Sequence, residues 1–105
     1  MTYCIHDLLR VVAQEGAKRL LVEVGRAPII ELKGEEHVVE GPEVTNENAT
    51  AIVQQLMTSE RLRELEYCGN VRFIHESDIA KFGVTVTVER QRPTLEARNL
   101  SVPCR

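Results

Sequence analysis

Tryptophan is absent from this chain, and two Tyr with two Phe are its only aromatic residues, so Leu, Val and Ile must build the core. A basic excess is missing as well. The formal net charge of −3 argues against a general nucleic-acid binder, which must neutralise phosphates. No apolar run reaches the roughly 18 residues that span a bilayer, and no charged-then-apolar leader opens the chain, so a cytoplasmic location without membrane insertion is expected. Cysteines are few: Cys4, Cys68 and Cys104 lie far apart, are odd in number and form no C-x-x-C pair. That pattern favours free thiols over a disulfide framework or a zinc site. The loop G-x-x-x-x-G-K-[ST], whose backbone N–H groups and Lys would cradle phosphates, has no match, and the scattered glycines read as turn residues. Autonomous ATP hydrolysis is therefore not expected.

What is present suffices for one domain over residues 1–105, long enough to fold without disulfides or metals. Ile5, Leu8, Leu9 and Val12 recur at i, i+3, i+4 and i+7, one stripe of a helix that Gly16 can end. Leu20, Val22 and Val24 alternate as a strand. Ile29–Lys33 and His37–Glu40 follow as two more, joined by a tight turn at Gly34-Glu35. Thr45 is a candidate N-cap for a helix whose apolar face is Ala49, Ile52, Val53, Leu56 and Met57, and Ser59 for a third helix through Tyr67. Strands are then predicted from Val71 to His75, from Phe82 to Glu89 and, past a break at Pro93, from Leu95 to Leu100. The order α-β-β-β-α-α-β-β-β, with short turns between consecutive strands, predicts an α+β fold with an antiparallel sheet.

Candidate chemistry is sparse. His6, His37 and His75 lack the local pairing of a metal site and read as structural or surface residues, and no metal or cofactor is implied. A Cys68–His75 nucleophile would need an orienting third residue, and none is readable. Glu35, Glu36, Glu40, Glu43 and Glu47 are explained by loop solvation and a helix N-terminus. Arg90, Arg92 and Arg98 form the one basic concentration, which reads either as an anion or protein contact or as a solvated edge strand.

Several landmarks in order carry a resemblance. Asp7-Leu8-Leu9 precedes Gly16-Ala17, and Ala17-Lys18-Arg19-Leu20-Leu21-Val22 is followed by Gly25-Arg26-Ala27-Pro28 and Gly34. Val44-Thr45 comes next, then Lys81-Phe82-Gly83-Val84-Thr85, with Glu89 to Arg92, Ala97-Arg98 and Pro103 closing. The series resembles the N-terminal, non-motor domain of PilT-type type IV pilus retraction ATPases and their PilB and GspE secretion relatives. The resemblance implies a PAS-like antiparallel sheet flanked by helices, in bacterial hexamers on the inner face of the membrane. It also implies a domain that packs over the motor's nucleotide site.

Two departures stand out against the family's A-S-D-L-H-L and R-F-R-V-N. Arg19 and Leu21 replace an Asp and a His, while Gly83 and Thr85 replace an Arg and an Asn. The arginine at the first of these two last positions belongs to a set that the resemblance places towards nucleotide phosphates, and glycine brings no charge there. The expectation is a non-catalytic protein-interaction or regulatory domain with a protein partner, from pilus or secretion machinery. A PAS-like small-molecule sensor and an excised N-terminal fragment of a full pilus ATPase stand as alternatives. Edge strands leave a homo-oligomer open.

Overall fold

The computed structural model describes residues 4–39 and 41–100. Helix α1 (Ile5–Glu15) buries its predicted stripe of Ile5, Leu8, Leu9 and Val12. It stops at Gly16, whose φ of 67° lets the Gly16 N–H reach the Ala13 carbonyl and the Ala17 N–H the Val12 carbonyl. Helix α2 (Asn46–Leu56) opens with a capping box: the Asn48 N–H donates to Thr45 Oγ1 at 3.0 Å, and the Thr45 N–H to Asn48 Oδ1 at 3.3 Å. In α3 (Ser59–Cys68) the cap is Thr58, one residue earlier than expected, because its hydroxyl accepts the Arg61 N–H.

Six strands, β1 (Arg19–Val22), β2 (Ile29–Leu32), β3 (Glu35–Val38), β4 (Asn70–Glu76), β5 (Lys81–Glu89) and β6 (Arg92–Asn99), form one antiparallel sheet in the order β3-β2-β1-β6-β5-β4. The α+β class, the element order and the antiparallel pairing are those the sequence predicts. Alternation sends Leu20, Val22, Val71, Phe73, Phe82, Val84, Val86, Leu95 and Ala97 to one face, where they pack with Leu9, Val12, Ile52, Val53 and Leu65 of the helices. All three helices thus cover a single face.

Boundaries shift where backbone geometry overrides composition. The β2–β3 turn is Lys33-Gly34, both at positive φ, so β3 begins at Glu35 and not at His37. Glu40, the expected end of that strand, lies outside the described residues, as do Pro103 and Cys104. Strand β1 ends at Val22, two residues before Val24.

Strand β6 starts at Arg92 and contains Pro93, paired with Val88. The Asn99 N–H bonds the Lys18 carbonyl and the Leu100 N–H the Lys81 carbonyl, so odd-numbered residues of β6 turn their polar backbone towards β1. Pairing with β1 runs out at Val22–Leu95, so the donor that Pro93 lacks would have met no strand.

Candidate interaction face

The sheet surface opposite the helices carries the polar side chains. Cross-strand register fixes its rows. One runs Ile74, Gly83, Arg98, Arg19, Glu31 and Glu36 from β4 to β3, and the next runs Arg72, Thr85, Glu96, Leu21, Ile29 and Val38.

Arg19 and Arg98 stand directly opposite one another, an unfavourable pairing left alone. The acids resolve it. Glu31 takes a hydrogen bond from Arg19 Nε at 2.6 Å, and Glu96 lies between the two guanidiniums, 3.7 Å from Arg19 Nη1 and 3.6 Å from Arg98 Nε. Arg19 is only 34 % exposed and is held on both sides, whereas Arg98 is 71 % exposed and keeps most of its donors free.

Gly83 sits on this face between Ile74 and Arg98. A Cβ there would lie 3.7 Å from the Leu100 side chain, so the leucine occupies the space above the glycine. Arg98 across the ladder and Arg72 one row along still bring guanidinium groups to the neighbourhood, from the flanking strands and not from position 83. Arg72, Ile74, Gly83, Thr85, Glu96, Arg98 and Leu100 surround a shallow, open depression. Arg72 makes no ion pair among the described residues, and Ile74 and Leu100 are both exposed.

The three predicted arginines do not form one patch. Arg90 is in the β5–β6 turn and Arg92 at the start of β6, near Glu23, Val24, Glu89 and Thr94. Arg98 is at the far end of the strand, about 20 Å away at roughly 3.3 Å per residue. Arg72 was missed by sequence reasoning; its alternation with buried Val71 and Phe73 was the signal that it faces outward.

On the helix side, the His6 and His75 rings lie 6.0 Å apart and the Arg61 guanidinium sits 4.5 Å over the Phe73 ring. Burial, then His6, then Arg61 hold the His75 pKa below the usual histidine value. His37 is on β3, 3.8 Å from Glu35. Among the described residues no three His, Cys, Asp or Glu side chains converge as a metal site would need, Cys4 and Cys68 are free, and no helix is long and apolar enough to cross a membrane.

No family model and no curated protein matches the sequence. Solved structures do match. The chain aligns over 98 % of its length with 31 % of the pilus retraction motor PilT bound to ADP, at a TM-score of 0.85 and 19 % identity. It aligns over 94 % with 30 % of the Legionella pneumophila ATPase DotB (TM-score 0.77, 12 % identity), and over 90 % with 29 % of the Yersinia pseudotuberculosis ATPase DotB (TM-score 0.65, 15 % identity). The chain spans about a third of the length of these ATPases, and its fold is that of their N-terminal domain. At such identities the likeness is one of fold.

Proposed function

We propose that the domain is a non-catalytic interaction or regulatory module of a type IV pilus or secretion machine, acting in the cytoplasm and docking an acidic protein surface on its open sheet face. One observation carries the reading: beside Gly83, the exposed guanidiniums of Arg72 and Arg98 stand next to exposed Ile74 and Leu100, on the sheet face that no helix covers among the described residues. Apolar anchors beside unspent charge are the composition of a protein contact. The fold it shares with part of a pilus retraction motor supports the class of machine. Arg98 supplies the main contact, and Arg90 and Arg92 a separate one at the other end of β6.

The test is biolayer interferometry of the purified protein against the full-length PilT retraction motor. Saturable binding that Arg98→Glu weakens about tenfold is expected, since reversing a contact charge costs on the order of 1.4 kcal/mol. A folded protein that fails to bind, or that itself hydrolyses ATP and loses the activity through one point change, refutes the reading.

A further inference from the structure

We propose that β4 pairs with β4 of a second copy of this chain, antiparallel and about a two-fold axis at Ile74, joining two sheets edge to edge. The inference does not require the open face to bind another protein, although the pairing uses Arg72 and Ile74 of that face.

Strand β4 is one border of the sheet. The side of each residue that is free follows from two hydrogen bonds. The Val88 N–H donates to the Gly69 carbonyl and the Ser77 N–H to the Ala80 carbonyl, and the β4–β5 register between them is unbroken. Odd-numbered residues of β4 therefore turn their N–H and C=O to β5, and Arg72, Ile74 and Glu76 turn theirs outward. Among the described residues no strand meets them. An exposed, seven-residue strand with such a row of unpaired groups is a template for pairing.

What makes a second copy the occupant is the symmetry of the side chains. Ile74, 60 % exposed, has Arg72 two residues before it and Glu76 two residues after it, all on the open face. An antiparallel two-fold pairing centred on Ile74 sets Ile74 against the partner's Ile74, Arg72 against the partner's Glu76, and Glu76 against the partner's Arg72. Every one of these residues points its free backbone groups at the new neighbour, so each pair can exchange both N–H···O bonds. The apolar side chain is covered at the axis, and opposite charges meet on either side of it. Glu76 already faces Lys81 Nζ at 3.3 Å, so the partner's Arg72 would give it a second cation, the arrangement Glu96 has between Arg19 and Arg98. A register centred one residue earlier, on Phe73, would set Arg72 against Ile74 and lose the charge match.

The other border does not have this property. In strand β3 the odd residues turn their backbone groups to β2 and Glu36 and Val38 turn theirs outward, so a two-fold pairing there sets like residues against each other or Glu36 against Val38, with no opposite charges to match. A contact confined to one strand is small, and the association is expected to be concentration-dependent.

Sedimentation velocity over a concentration series tests the pairing on the intact chain. The 11.9 kDa protein should pass from monomer to dimer as concentration rises. Ile74→Lys should leave only monomer. Arg72→Glu should weaken dimerisation about tenfold by facing two acids, and Arg72→Glu with Glu76→Arg should recover it to within about threefold. All three positions are solvent-exposed, and circular dichroism checks that each variant keeps its fold. Monomer at every concentration overturns the proposal, as does a dimer indifferent to Ile74→Lys, or a charge swap that fails to recover what the single change lost.

Discussion

The β5–β6 turn places Arg90 at φ 50° and Gln91 at φ 65°, with no glycine, Asn or Asp to ease it. A two-residue connection with both residues at positive φ matches the right-handed twist of the strands it joins, and Asn-Gly is its preferred sequence. A side chain held at left-handed φ costs roughly 1–2 kcal/mol. Glycine removes that cost and returns about 0.5–1 kcal/mol of unfolded-chain entropy. Gln91→Gly should therefore stabilise the protein by about 0.5–1 kcal/mol, raising Tm by a few degrees, on the order of 4 °C, for a domain of this size. Adding Arg90→Asn should extend the gain, and Gln91→Val, β-branched at the same dihedral, should reverse it by about 1–2 kcal/mol. Thermal melts followed by circular dichroism and urea midpoints read the effect directly. A Gln91→Gly protein that melts below the parent, or a Gln91→Val protein that melts above it, refutes the argument from backbone strain.

Two further perturbations probe the interior. Asn99 is a buried polar residue among the described residues, and its amide donates to the Ala17 carbonyl at 3.2 Å, fastening β6 to the α1–β1 connection. Asn99→Ala should cost about 1–3 kcal/mol in urea unfolding, and a loss below about 0.5 kcal/mol would show the bond to be dispensable. For His75 the folded pKa lies below 6.5 because burial, His6 and Arg61 all disfavour the cation, so near that pH the unfolded chain holds the proton better. Stability present above the unfolded pKa is thus lost as pH falls through the folded value. His75→Gln should flatten the difference between urea midpoints at about pH 7.5 and about pH 5, and an unchanged difference would put the acid sensitivity elsewhere.

Elements defined by a clean period were legible. The α1 stripe, the alternation from Phe82 to Val88 and the Thr45 cap each state a local preference that packing does not contradict. Pro93 concealed the start of β6, because whether a proline breaks a strand depends on which side its missing donor faces, and that is set by where β1 stops. The β5–β6 turn was hidden for a different reason: Arg90 and Gln91 adopt a conformation their side chains do not advertise. At the site, Arg98 was readable as a candidate, but Arg90 and Arg92 joined it only through closeness in sequence, which an extended strand turns into distance. Gly83 is legible in the sequence as a missing charge. That Arg72 and Arg98 stand beside it follows from the pairing of three strands, information that no single stretch contains.

Three of the described strands precede α2 and α3 and three follow them, and each trio is a local meander that zips from one turn to the next. Among the described strands, β1 with β6 is the pairing that joins the two trios, along Arg19–Val22 and Leu95–Arg98, so β1 must wait for β6. On a ribosome β1 would emerge with its flank bare until β6 is made. Completion of the sheet is thereby tied to the one long-range closure whose entropy is least repaid beforehand, and substitutions along that junction should slow folding more than equal losses inside either meander.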